Sequence, residues 1–199
     1  MKTRTYTMGA RGLAVQQTRT RIAEAMFDLA GARRLADISL DDVAARAGVS
    51  VQTVLRHYGS RSGLIEGASS YATARIEDER MAPVGDVDGA LHVLLDHYEE
   101  RGRSALLFLA QEDEDPVMAG VSARGKAMHR SWVRTVFAPQ VGDDEVLIDL
   151  LVVATDVYAW KLLRLDRGLS RSRTEARMVM LVRAVLGTAP NGSNPCKEK

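Results

Sequence analysis

Residues 39–58, SLDDVAARAGVSVQTVLRHY, leave this chain little freedom in how it folds. Ser39 precedes Asp42 by three residues, a capping box with Asp in place of the usual Glu or Gln, so a helix opens at Leu40. Leu40, Val43, Ala44 and Ala47 share one side of that helix. Gly48 ends it, because glycine takes backbone shapes that a bulky residue resists. Ser50 then caps a second short helix running to about Tyr58. Val43, Ala44, Ala47, Val49 and Val54 are spaced to fill the angle between the two helices, and Ala44 is small where they cross. The second helix turns Ser50, Gln52, Thr53, Arg56 and His57 outwards.

This is a helix-turn-helix pattern, whose second helix enters the major groove of DNA. The plain alternative is an ordinary packed helical corner. Charge placement favours the first. The whole chain carries 27 Lys or Arg against 26 Asp or Glu. Residues 1–61, however, hold ten cations against five acids, leaving 17 against 21 beyond. A local excess of this kind suits phosphate contacts, which supply much of the salt-dependent affinity for DNA.

The rest of the 199 residues reads as helix too, with only five Pro and 46% hydrophobic residues. Residues 1–17 have no apolar stripe and are expected to form a flexible basic arm, whose Arg4 and Arg11 read first as simply solvated and, as the alternative, as tracking DNA. Ile22, Ala25, Met26 and Leu29 recur at three and four residues, predicting an amphipathic helix from about residue 18 to 31. Further helices are expected at 61–80, 90–100 (with a joint at Gly102), 116–137, 143–165 as one long element, and 171–186. A disordered tail is expected over 188–199. The fold class is all-α, with about nine helices and no convincing strand.

Other classes of function find little support. The single cysteine, Cys196, permits no intrachain disulfide and no cysteine metal site. The polar, basic start is unlike a signal peptide, and the apolar run at 146–154 is too short to span a bilayer, so a cytoplasmic location is the expectation. His92 and His97 stand five apart and do not stack on one helical face as a metal pair would. With no phosphate loop, nucleophile elbow or metal motif, neither an enzyme nor a cofactor is expected.

Residues 18–66 resemble the TetR family of bacterial transcriptional regulators (TetR/AcrR-like). The matching stretches are RIAEAMFDLAG, SLDDVAARAGVS and VQTVLRHYGSRSGLI. Leu55 stands where the family usually has Tyr, Tyr58 where it has Phe, Arg61 where it has Lys, and Ser62 where it has an acid. The segment 31–39 is also somewhat longer than usual. The resemblance implies a three-helix DNA-binding domain over 18–60 and an effector-binding and dimerisation domain over 61–187. It further implies a homodimeric repressor, released from a palindromic operator by a small molecule.

By resemblance and exposure, Gln52 is the candidate for a base-edge contact, with Arg56 on guanine or phosphate and Val51 on a thymine methyl. Thr53, His57, Tyr58 and Arg61 are candidate phosphate anchors, Ser50 lies at the helix start, and Ser39 offers its hydroxyl and its helix N-terminus. Leu94, Tyr98, Phe108, Met118, Met128, Trp132 and Trp160 are candidates to line an effector pocket for an apolar or aromatic ligand. A dimer interface is expected from Leu147, Leu150, Leu151, Ala154, Val157, Tyr158 and Leu162, with Met178, Leu181, Val182 and Val185 from the last helix. Both sets also read as plain core. Rival readings are a regulator without effector or acting as activator, and a helical enzyme.

Overall fold

A computed structural model describes residues 4–187, with side chains from residue 12 onwards. All regular elements among them are helical. The described residues divide into two compact units, one of residues 4–80 with 103–125 and the other of residues 81–102 with 126–187.

In the first unit, α1 (Arg4–Ala30) packs against α2 (Leu40–Ala47) and α4 (Arg61–Glu79), while α3 (Val51–Tyr58) packs against α2 and α4. Ile22, Ala25 and Met26 of α1 meet Val43, Ala44 and Ala47 of α2, Val54 of α3, and Leu64 and Ala68 of α4 in one buried cluster. The predicted stripes therefore converge as amphipathic helices should. A 3-10 turn, Leu35–Asp37, adds Leu35 and Ile38 to the cluster.

Helix α1 begins at Arg4, so most of the expected flexible arm is helical. An amphipathic stripe was the wrong signal for its start. Once a folded helix supplies the nucleus, each further residue needs only one backbone hydrogen bond, and Ala, Leu and Gln are favourable extenders. Exposed Leu13 and Val15 confirm that this part of α1 buries little. The side chains of Arg4 and Arg11, like the tail 188–199, lie outside the described residues.

Helix α4, expected to open the second domain, belongs to the first unit through its packing on α1. The first unit also takes residues 103–109 of α5 (Val87–Leu109) and 116–125 of α6 (Pro116–Val136). Met118 is in its buried cluster and Phe108 packs against that cluster.

In the second unit, a short α7 (Ala138–Val141) follows α6, and α8 (Glu145–Ala154) is capped by the Asp144 carboxylate accepting from Val146 and Leu147 N–H. The long helix expected over 143–165 is broken at Thr155. Asp156 caps α9 (Val157–Trp160), which runs on in a π-helical segment, Lys161–Asp166. Thr155 is fully buried; its hydroxyl donates to Leu151 O at 2.6 Å and pairs with His129 Nε2 at 3.1 Å, while Tyr98 Oη donates to its carbonyl at 2.9 Å. These bonds fix the break at the polar pair Thr155–Asp156, just past the apolar run 146–154.

Gly102 does not interrupt α5. A Cβ there would come within 2.6–3.0 Å of the Trp160 ring, so glycine is required for close packing and not for a joint. Helix α10 (Arg171–Gly187) packs on α8 and α9.

Candidate nucleic-acid interface

The corner between α2 and α3 is built by local chemistry. Asp42 N–H donates to Ser39 Oγ at 3.1 Å and Ser39 N–H returns to Asp42 Oδ2 at 2.8 Å, completing the capping box. The carboxylate-facing Ser39 donors, the backbone N–H first, hold the Asp42 carboxyl below the usual carboxylate range. Gly48 then adopts φ 66° and ψ 40°, the left-handed region. Its N–H reaches Ala45 O at 3.2 Å and Val49 N–H reaches Ala44 O at 3.0 Å, the two bonds of a Schellman ending. Five residues after Gly48, Thr53 N–H donates to Ser50 Oγ at 3.2 Å and caps the start of α3.

Val54 is completely buried and defines the inner side of α3. Gln52, Leu55 and Arg56 are exposed, and Val51, Thr53, His57 and Tyr58 are half-buried. Arg56 has no hydrogen bond or ion pair among the described residues and is free to meet an anion. The two hydroxyls at the start of α3, on Ser50 and Thr53, lie 3.0 Å apart and satisfy one another. Burial first, then the charges of Arg56 and Arg19, push the His57 imidazole down, towards its neutral form.

Two of the expected phosphate anchors are engaged inside the unit. Tyr58 Oη donates to Arg19 O at 2.8 Å, and the Arg19 guanidinium lies 4.5 Å above the Tyr58 ring while donating to His57 O at 2.8 Å. This reciprocal clasp satisfies a carbonyl at the end of α3 and ties that helix to α1. Burial pushes the Tyr58 hydroxyl up, keeping it a donor. Arg61 Nη2 donates to Leu35 O at 2.6 Å and Ile38 O at 3.2 Å, bracing the 3-10 turn from the start of α4. Arg19 had no role in the sequence reading. Its only legible signal was a cation on α1 one helix away from an aromatic residue, which is too common to single out.

The basic excess is partly neutralised within the unit. Arg33 pairs with Asp42 at 3.3 Å, Arg46 with Asp28 at 2.5 Å, and Arg34 with Glu114. All three pairs are substantially exposed and worth little to stability, so a phosphate competes for these cations at small cost. An open groove of about 590 Å³ is lined by Gln16, Arg19, Thr20, Tyr58, Glu66 and Tyr71, among others; none of the seven expected effector-pocket residues borders it.

Those seven are divided. Phe108 and Met118 pack in the first unit, and Leu94, Tyr98, Met128, Trp132 and Trp160 are in the second. There Tyr98 and Trp160 have ring centroids 5.9 Å apart, and Trp132 stacks on His129 at 5.9 Å. Of the expected interface residues, Leu147, Leu151, Ala154, Val157, Met178 and Val182 are buried within the chain and Val185 is half-buried. Leu150, Tyr158, Leu162 and Leu181 are exposed, joined by Val146, Val153 and Met180, which the sequence reading passed over. No described cluster of three or more His, Cys, Asp or Glu is arranged to hold a metal ion, and no described helix is long and apolar enough to cross a membrane.

Among solved structures, TetR-family transcriptional regulators share this all-helical fold. A TetR-family regulator from Streptomyces coelicolor superposes with a TM-score of 0.65 at 19% identity, covering 89% of this chain and 92% of its own. A transcriptional regulator from Rhodococcus sp. Rha1 gives 0.64 at 22% identity, covering 85% and 96%. The multidrug binding protein EbrR, solved with imidazole, gives 0.55 at 19% identity, covering 83% and 89%. No family model matches the chain, and no curated protein matches it significantly in sequence.

Proposed function

We propose that this chain is a TetR-type, sequence-specific DNA-binding regulator that docks α3 in the major groove. The observation that carries the reading is the outer face of α3. A short helix held by a Schellman turn, two serine caps and the Arg19–Tyr58 clasp presents exposed Gln52 and unpaired Arg56 side by side. Gln52 meets adenine through its amide, Arg56 meets guanine or phosphate, and Val51 lies at the groove-facing start of the helix. Ser39, Ser50, Thr53 and His57 border phosphates at the helix starts and flank. Tyr58 and Arg61 serve the interface mainly by holding the helices in place.

The protein works as a homodimer on a palindromic operator, since one helix-turn-helix covers too little DNA for high specificity. The exposed apolar residues Val146, Leu150 and Val153 of α8, Tyr158 and Leu162 after it, and Met180 and Leu181 of α10 support this pairing. Large apolar side chains left in water on neighbouring helices are the expected mark of a bundle completed by a second copy. Repression relieved by an apolar or aromatic effector completes the reading, with the effector taken among Leu94, Tyr98, Met128, Trp132 and Trp160.

Selection of bound sequences from a random DNA pool tests the function. Recovery of a palindrome bound in a strongly salt-dependent manner is the expected result. No enrichment by a folded dimer would overturn it.

A further inference from the structure

On the major-groove docking of α3 proposed above, we infer that Leu55 is a specificity-determining residue that selects a thymine beside the base met by Gln52. Helical residues advance by about 100° each. Measured round α3 from the inward direction of Val54, Leu55 stands at about 100°, Gln52 at about 160°, Arg56 at about 200° and Thr53 at about 260°. Leu55 therefore adjoins Gln52 on the exposed arc, and the groove that receives the Gln52 amide also dehydrates the leucine.

Leu55 is 39% exposed and takes no part in the buried cluster, although Val54 beside it is a member and Val51 and Tyr58 pack against it. It has no polar atom with which to hold a phosphate. The base edges in the major groove are hydrogen-bond donors and acceptors, with one apolar group among them, the C5-methyl of thymine. Any other base leaves the leucine against a polar edge stripped of water, which costs affinity. Half-buried Val51, one turn earlier and about 40° away, walls the inner side of the same methyl position.

The test uses the full-length protein and the operator recovered from the random pool, with each thymine replaced singly by deoxyuridine. That exchange deletes the methyl and keeps the base pair. Binding is expected to fall roughly three- to fivefold at one thymine of each half-site, the worth of about one buried methylene-sized group. Leu55→Ala should bind the thymine and uracil operators equally, and Leu55→Met should keep most of the difference. The role of Leu55 is overturned by a half-site without thymine next to the Gln52 base. It is equally overturned by uracil tolerated at every position, or by a uracil penalty that survives in Leu55→Ala and disappears in Val51→Ala. A pool that yields no operator overturns the DNA-binding reading itself, whereas a recovered operator indifferent to the methyl removes only the assignment of Leu55.

Discussion

Replacing Gly48 by Ala tests the construction of the α2–α3 corner at its tightest point. Gly48 has φ 66° and ψ 40°, a conformation in which a Cβ crowds the following carbonyl oxygen. No atom stands within 4 Å of the position that Cβ would take, so the substitution creates no clash with the rest of the fold. The cost is then that of the backbone alone, about 1–2 kcal/mol. It falls on the turn, where Val49 N–H is bonded to Ala44 O. Native-state hydrogen exchange reads this directly. The Val49 and Thr53 amides should exchange roughly 5- to 30-fold faster, the factor that corresponds to such a cost. The Met178 amide, in the second unit, should be unchanged. Gly48→Asn should lose less than Gly48→Ala, because asparagine enters the left-handed region more readily. Unchanged exchange at Val49, or an Asn variant as damaged as the Ala one, would refute the reasoning. An acceleration of a thousandfold or more would mean that packing, and not backbone conformation, demands the glycine.

Arg61→Ala, by removing two bonds to the carbonyls of Leu35 and Ile38, should cost about 1–2 kcal/mol in thermal melts and weaken binding to all DNA sequences alike; loss confined to one base position would contradict this. Gln52→Ala should instead relax preference at one position of each half-site, at about 1–3 kcal/mol for the preferred base, read by repeating the selection. Equal loss on every sequence would count against it. Because the folded Asp42 carboxyl is depressed, its stabilisation of α2 is complete above the ordinary aspartate value of about 4 and is lost as pH falls through the lower folded value. The Ser39 amide shift should titrate by NMR with a midpoint below that ordinary value, and a midpoint at or above it is the contrary result. Val153→Glu combined with Leu162→Glu should weaken self-association at least about tenfold in sedimentation without loss of helicity, since both side chains are exposed in the single chain. A variant that stays dimeric would move the interface elsewhere.

The sequence reading is most accurate where structure is made by neighbours in the chain. Ser39, Gly48 and Ser50 announce α2 and α3 residue by residue, since each cap and turn is completed within six residues. It fails where a distant partner decides. Gly102 looks like a joint until the Trp160 ring is set against it. The break at Thr155 has a local mark in Asp156, which caps α9, but the bonds from His129 and Tyr98 that hold Thr155 buried come from other helices and leave no mark nearby in the sequence. The start of α1 is missed because the sequence before residue 18 carries no apolar stripe, and residues 12–17 are exposed. At the candidate interface the exposed arc of α3 is legible from helical period, which places Gln52 and Arg56 outwards. The inward bonds of Tyr58 and Arg61 are not, because a polar tip reads the same whether it meets a phosphate or a carbonyl of its own chain. Phe108 and Met118 likewise carry no mark of which core they enter.

The proposed entry of α3 into the major groove, with Gln52 at its centre, is tested most directly by cutting DNA from that position. The chain has a single cysteine, Cys196, so Gln52→Cys in a Cys196→Ser background places one thiol on α3, to which an iron chelate that cuts DNA can be tethered. The variant gives up one base contact and keeps the remaining docking surface. On the recovered operator, cleavage should concentrate at the middle of each half-site, in two clusters about one helical turn or a multiple apart. Cuts spread evenly along the duplex, or clustered outside the half-sites while the protein remains bound, would contradict the account.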